Sequence, residues 1–92
     1  MTLEDVYSIL ESKIYYEKDS MRKFSFIQNS IHIDRRAFIP FVIYKEDENF
    51  FLEPDTPIAE EKELRIEIKN NSSDSIQFYG KKSGEKLLIL EG

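Results

Sequence analysis

The hydrophobic period of this chain changes once along its length. Leu3, Val6, Tyr7, Leu10 and Ile14 recur at i, i+3, i+4, i+7 and i+11, the spacing that lines one face of an α-helix. From Phe24 onward the period becomes two, and β-branched and aromatic residues dominate, as a pleated, half-buried surface prefers. A chain that switches once in this way has one helix to lay on a sheet or to plug into its opening.

The helix is well signalled at its start. Thr2 is placed to cap it with Asp5 at the third position, and Glu4 and Asp5 put negative charge where the helix dipole favours it. Ile9 and Tyr16 widen the apolar stripe, which fades in Glu17-Lys18-Asp19-Ser20, so the spacing predicts a helix over residues 2–18.

The strands follow from alternation and turn chemistry. Phe24-Ser25-Phe26-Ile27 and Ile31-His32-Ile33 are put out of phase by Gln28-Asn29-Ser30, which calls for a tight turn or a bulge. Phe38 to Tyr44 is apolar in both directions and predicts a strand covered on two faces; Pro40 within it places that strand at an edge or a bulge. Phe50-Phe51-Leu52 returns as a short strand, followed by a loop through Pro54 and Pro57. Leu64, Ile66 and Ile68 alternate with Arg65, Glu67 and Lys69, a strand with one wet face. After a polar turn at Asn70–Asp74, Ile76 and Phe78 point inward; Gly80 and Gly84 bracket a further turn before Leu87–Leu90. Short polar turns imply antiparallel neighbours. The expected fold is α+β: an N-terminal helix packed on a mostly antiparallel five- to six-stranded meander sheet, curled or barrel-like if it closes.

Ninety-two residues fit one domain spanning 1–92. Scaling with mass gives a folded surface of roughly 5,600 Å², a core adequate but without excess. Cysteine is absent, so disulfides, thiolate chemistry and cysteine-based metal sites are excluded. The longest apolar run, Ala37 to Tyr44, is far too short for a membrane-spanning helix, and Glu4 and Asp5 stand where a signal peptide wants bases, so a cytoplasmic protein without a membrane role is expected. Asn70-Asn71-Ser72 and Asn71-Ser72-Ser73 match the glycosylation pattern and read better as turn residues.

Charge is unevenly spread. Between Lys45 and Glu63 lie eight acids and two bases, a balance of −6, whereas the net charge of the whole chain is −5. The negative excess therefore sits in one central stretch, and this is the candidate partner-binding segment: Glu46, Asp47, Glu48, Glu53, Asp55, Glu60 and Glu61, with Phe50 and Phe51 as apolar anchors. The bland alternative is an ordinary solubilising surface.

Other constellations are weaker. Gathered with Phe24, Phe38 and Tyr79, the residues Arg22, Lys23, Arg35, Arg36, Lys81 and Lys82 would form a basic and aromatic face for single-stranded nucleic acid, against which stands a pI of about 4.9. His32 shares a strand face with Asp34, the sole hint of a small hydrolase, with no nucleophile beside it. Gly80-Lys81-Lys82-Ser83-Gly84 lacks the order of a phosphate loop and reads as a hairpin turn. No metal site and no cofactor are called for. The expectation is a non-catalytic protein-interaction or regulatory module, including the inhibitor type, that docks on a basic partner surface. A homodimer through a sheet edge or through the apolar faces of Phe38–Tyr44 and Leu87–Leu90 overlaps with it.

Overall fold

The computed structural model describes residues 1–69 and 74–92. Its elements are α1 (Leu3–Glu11), β1 (Tyr15–Glu17), β2 (Lys23–Ile27), β3 (Ser30–Ile33), β4 (Ala37–Glu46), β5 (Asn49–Pro54), β6 (Leu64–Ile68), β7 (Ser75–Gly80) and β8 (Lys86–Glu91). The strands pair in sequence order, all antiparallel, and β8 pairs with β1 to close a barrel. The sheet is thus eight-stranded and closed, not the five- to six-stranded meander expected, although the antiparallel order and the barrel-like form agree.

The extra strands come from two places. The predicted helix stops early: Thr2 and Asp5 form the expected capping box, but Ser12 ends the helix, its hydroxyl donating to the Ile9 carbonyl at 2.7 Å. Tyr15-Tyr16-Glu17, assigned to the helix from its spacing, is β1, because there it pairs with β2 on one side and β8 on the other. The second difference is at Gln28-Asn29, which is a two-residue hairpin turn with φ of 48° and 64°, so the two alternating segments are separate strands.

Inward positions fill the interior, as a barrel of this strand number requires. Phe24, Phe26, Ile31, Phe41, Ile43, Leu52, Leu64, Ile66, Ile76, Phe78, Leu88 and Leu90 are buried in one cluster. Val6 and Leu10 of α1 join that cluster, as does Ile58 from the loop between β5 and β6, so the helix serves as a plug. Tyr7 ties it down by stacking on Phe41 and accepting a hydrogen bond from the Ile43 N–H at 3.2 Å. Tyr15 adds a bond to the Ile9 carbonyl at 2.7 Å. The total accessible surface is 5575 Å², in line with a close-packed chain of this mass.

β4 corrects two expectations. It is an interior strand of the barrel, paired with β3 as far as Ser30↔Pro40 and with β5 from Phe41↔Pro54. Pro40 lies where one partner hands over to the other; its missing N–H is not needed there, and its carbonyl accepts from the Asp55 N–H at 2.8 Å. Nor is β4 covered on both faces. Phe41 and Ile43 face the core, while Phe38, Pro40 and Val42 face outward and are exposed.

The inside is apolar, while the outward positions of β6 and β7 carry Arg65, Glu67, Gln77 and Tyr79. No helix among the described residues is long and apolar enough to cross a membrane. The polar turn expected at Asn70–Ser73, with both glycosylation patterns, lies outside the described residues.

Candidate functional site

The interior is filled by the core cluster, and the outside of the barrel has two dissimilar faces. The first spans β4 to β8. Its register sets Tyr44 beside Phe51, Phe51 beside Arg65, Arg65 beside Tyr79 and Tyr79 beside Lys86, one outward row across five strands. Tyr44 stacks on Phe51 with centroids 5.3 Å apart. The Lys81 ammonium lies 5.2 Å from the Tyr44 ring centre and 5.0 Å from that of Phe51, while Arg65 sits 4.5 Å over Tyr79. Phe51 is consequently buried, though it belongs to no part of the barrel core.

Lys81 is the hub of this face. It donates to the Tyr44 hydroxyl at 3.0 Å, to Glu46 at 3.2 Å and to Glu63 at 3.4 Å, and the Tyr44 hydroxyl in turn donates to Glu63. The Tyr44 hydroxyl and the two carboxylates hold the ammonium well above the usual lysine range. Tyr44 and Lys81 hold the Glu63 carboxyl below the usual carboxylate range, and burial followed by the bond to Glu63 raises the Tyr44 phenol.

Beside this hub, Glu61 closes the turn between β7 and β8. Its carboxylate accepts from the Lys82 N–H at 2.8 Å and the Ser83 N–H at 3.2 Å. The Ser83 hydroxyl and then these amides keep its carboxyl below the ordinary range. Gly80 makes room for it, since a Cβ there would stand 1.9 Å from Glu61 Oε2.

The central acidic stretch is therefore divided by the fold. Glu46 is held by Lys81, Glu61 by the turn amides, and Glu53 stands 4.0 Å from Lys62. Asp47 and Glu48 at the tip of the β4–β5 hairpin, with Asp55 and Glu60, are exposed and make no ion pair among the described residues. The two expected anchors are occupied: Phe50 packs against the core with Lys45 over its ring, and Phe51 lies under Tyr44 and Lys81.

The second face is built by β2, β3 and β4. Phe38 is 63% exposed, Val42 56% and Ile27 49%, with Pro40 exposed between the first two. Phe38, Pro40 and Val42 stand at alternate positions of β4, so they form one apolar row, and Ile27 joins it across Ser30, which pairs with both Ile27 and Pro40. Arg35 and Arg36 precede the row in the β3–β4 turn, both exposed and without an ion pair among the described residues. The outside of β4 thus reads, in order, two cations, three apolar residues, Tyr44 and an acidic tip.

The residues raised for nucleic acid are dispersed by the same geometry. Arg22 is paired with Glu17 at 2.6 Å, Lys81 is committed to carboxylates, Phe24 is wholly buried, and Tyr79 is covered by Arg65. Lys23 and Arg35 line a shallow groove with Ile14, Ser25, Ile27, His32 and Asp34. There the His32 ring stands edge-on to Phe38 at 4.7 Å, while the Asp34 carboxylate accepts from the Lys23 N–H at 2.8 Å.

Sequence reasoning raised Phe38 as a stacking platform and the faces of Phe38–Tyr44 as a dimer surface, but did not say which face of the strand meets water. The signal was present in the alternation with Phe41 and Ile43, but both phases are apolar, so the period alone does not say which is wet. Comparison with protein-family models, curated proteins and solved structures finds no match.

Proposed function

We propose that this protein is a non-catalytic protein-interaction module that binds through the outer face of β4. One observation carries the reading: Phe38, Pro40 and Val42 form an exposed apolar row, whereas the outward aromatics of the β4–β8 side, Tyr44, Phe51 and Tyr79, are each covered by a cation or a ring. Exposed apolar side chains gathered on one strand, rimmed by charge, are what interfaces use, the apolar centre supplying affinity and the rim supplying rate and register. Glu46, Asp47 and Glu48 extend the row at one end, so the acidic tip acts together with the apolar centre.

A tagged pull-down from nuclease-treated lysate of the source cells tests this, read by mass spectrometry against two controls. Phe38→Asp with Val42→Asp, and separately reversal of Glu46, Asp47 and Glu48 to Lys, should each lose the protein that the wild type retains, this chain itself included. Capture that survives Phe38→Asp with Val42→Asp in a folded variant would sink the reading.

A further inference from the structure

From the order of groups along β4 we infer that the occupant of this face is a second copy of the same chain, set antiparallel across a two-fold axis. The inference rests on the interaction reading of the face and names its partner. An axis passing through the level of Phe41 sets Pro40 of one copy against Val42 of the other, Phe38 against Tyr44, Arg36 against Glu46 and Arg35 against Asp47. Each contact occurs twice, apolar at the centre and opposite in charge at both ends. The strand therefore carries its own complement, so no second surface has to be supplied. A partner of uniform charge would match one end of the row and oppose the other.

The shape of the barrel agrees with this order. Its convex outside brings the middle of β4 closest to a neighbour and leaves a gap at the ends, which long Arg and Glu side chains span better than short apolar ones. The ends also have charges to offer, since Arg35, Arg36 and Asp47 make no ion pair among the described residues and Glu46, although held by Lys81, keeps 54% of its side chain exposed. Ten residues of strand and three strands of width give a face of roughly 33 by 14 Å, about 460 Å² per copy. That is at the low end of specific interfaces, so the dimer is a weak one that forms and parts with concentration.

Sedimentation equilibrium of the full chain from about 10 µM to about 1 mM, the range in which a small interface associates, provides the test. Three samples are compared: wild type, a variant with Arg35→Asp and Arg36→Glu, and a variant with Glu46→Lys and Asp47→Asn. Asp and Asn suit the left-handed backbone at 35 and 47, where φ is 59° and 55°, and a cooperative urea transition shows that both variants fold. The expected result is a wild type whose mass doubles across the range, two variants that each remain monomeric, and an equimolar mixture of the variants that regains the doubled mass as a heterodimer. A wild type that stays monomeric at the highest concentration overturns the inference, as does a mixture that fails to associate. If the pull-down meanwhile retains a different protein through Phe38 and Val42, the interaction reading stands and only the second copy is lost.

Discussion

The two outer faces of this barrel are built from similar residues and differ in whether those residues are satisfied. On the β4–β8 side, Tyr44 stacks on Phe51, Lys81 covers both rings, and Glu46 and Glu63 neutralise Lys81. On the β2–β4 side, Phe38 and Val42 lie open, with Arg35 and Arg36 at one end of the row and Asp47 and Glu48 at the other. The contrast teaches that neither an aromatic nor a charge on a surface marks a site by itself. What marks one is a group whose chemistry is left without a partner inside the chain.

The sharpest way to break this contrast is to truncate one phenylalanine on each face. Phe51→Ala should cost about 2–4 kcal/mol by urea unfolding, because a buried ring is removed from under Tyr44 and Lys81. Phe38→Ala should change stability by no more than about 0.5 kcal/mol in dilute solution, since the ring is already in water. Equal losses at the two positions would erase the distinction.

Gly80→Ala gives a smaller effect, about 1–3 kcal/mol by the same measurement, because the added methyl falls on Glu61 Oε2 and Ser83 Oγ and must displace them. The cost should shrink in the background Glu61→Ala, which empties the space. An undiminished cost there would mean that the turn, and not Glu61, sets the fit.

The smallest expected effect is local and depends on pH. Glu61 and Glu63 titrate lower in the folded chain than their ordinary value of 4.5. Their contribution is therefore complete above that value and is lost as pH falls through the depressed values. Amide exchange at Lys82 and Ser83 should accelerate in that acid window while the amides of β2 and β3 stay protected. Simultaneous loss of both would assign the acid transition to the whole barrel.

Much of the fold was legible where a single residue type has a single physical use. The Thr2 and Asp5 capping box, the inward pair Ile76 and Phe78, and the Gly80 to Gly84 turn, where Gly84 takes φ of 73°, all stand where the sequence predicts them. The rest depended on contacts between distant residues. Ile14-Tyr15-Tyr16 fits a helical and a strand period alike, and only closure against β2 and β8 decides for the strand. The acidic stretch reads as one unneutralised excess because Lys81, which neutralises part of it, is 35 residues from Glu46 and 18 from Glu63. The face of β4 that meets water could not be read from its period, because Phe38 and Val42 are as apolar as Phe41 and Ile43.

Whether the open face of β4 meets another chain can be read with a photoreactive benzoylphenylalanine placed at position 38 and, in a second sample, at position 79. Irradiation in lysate of the source cells should give one discrete higher-mass adduct from position 38, this chain or another protein, and none from position 79, where Arg65 lies over the ring. The same adducts from both positions, or none from position 38, would contradict the account.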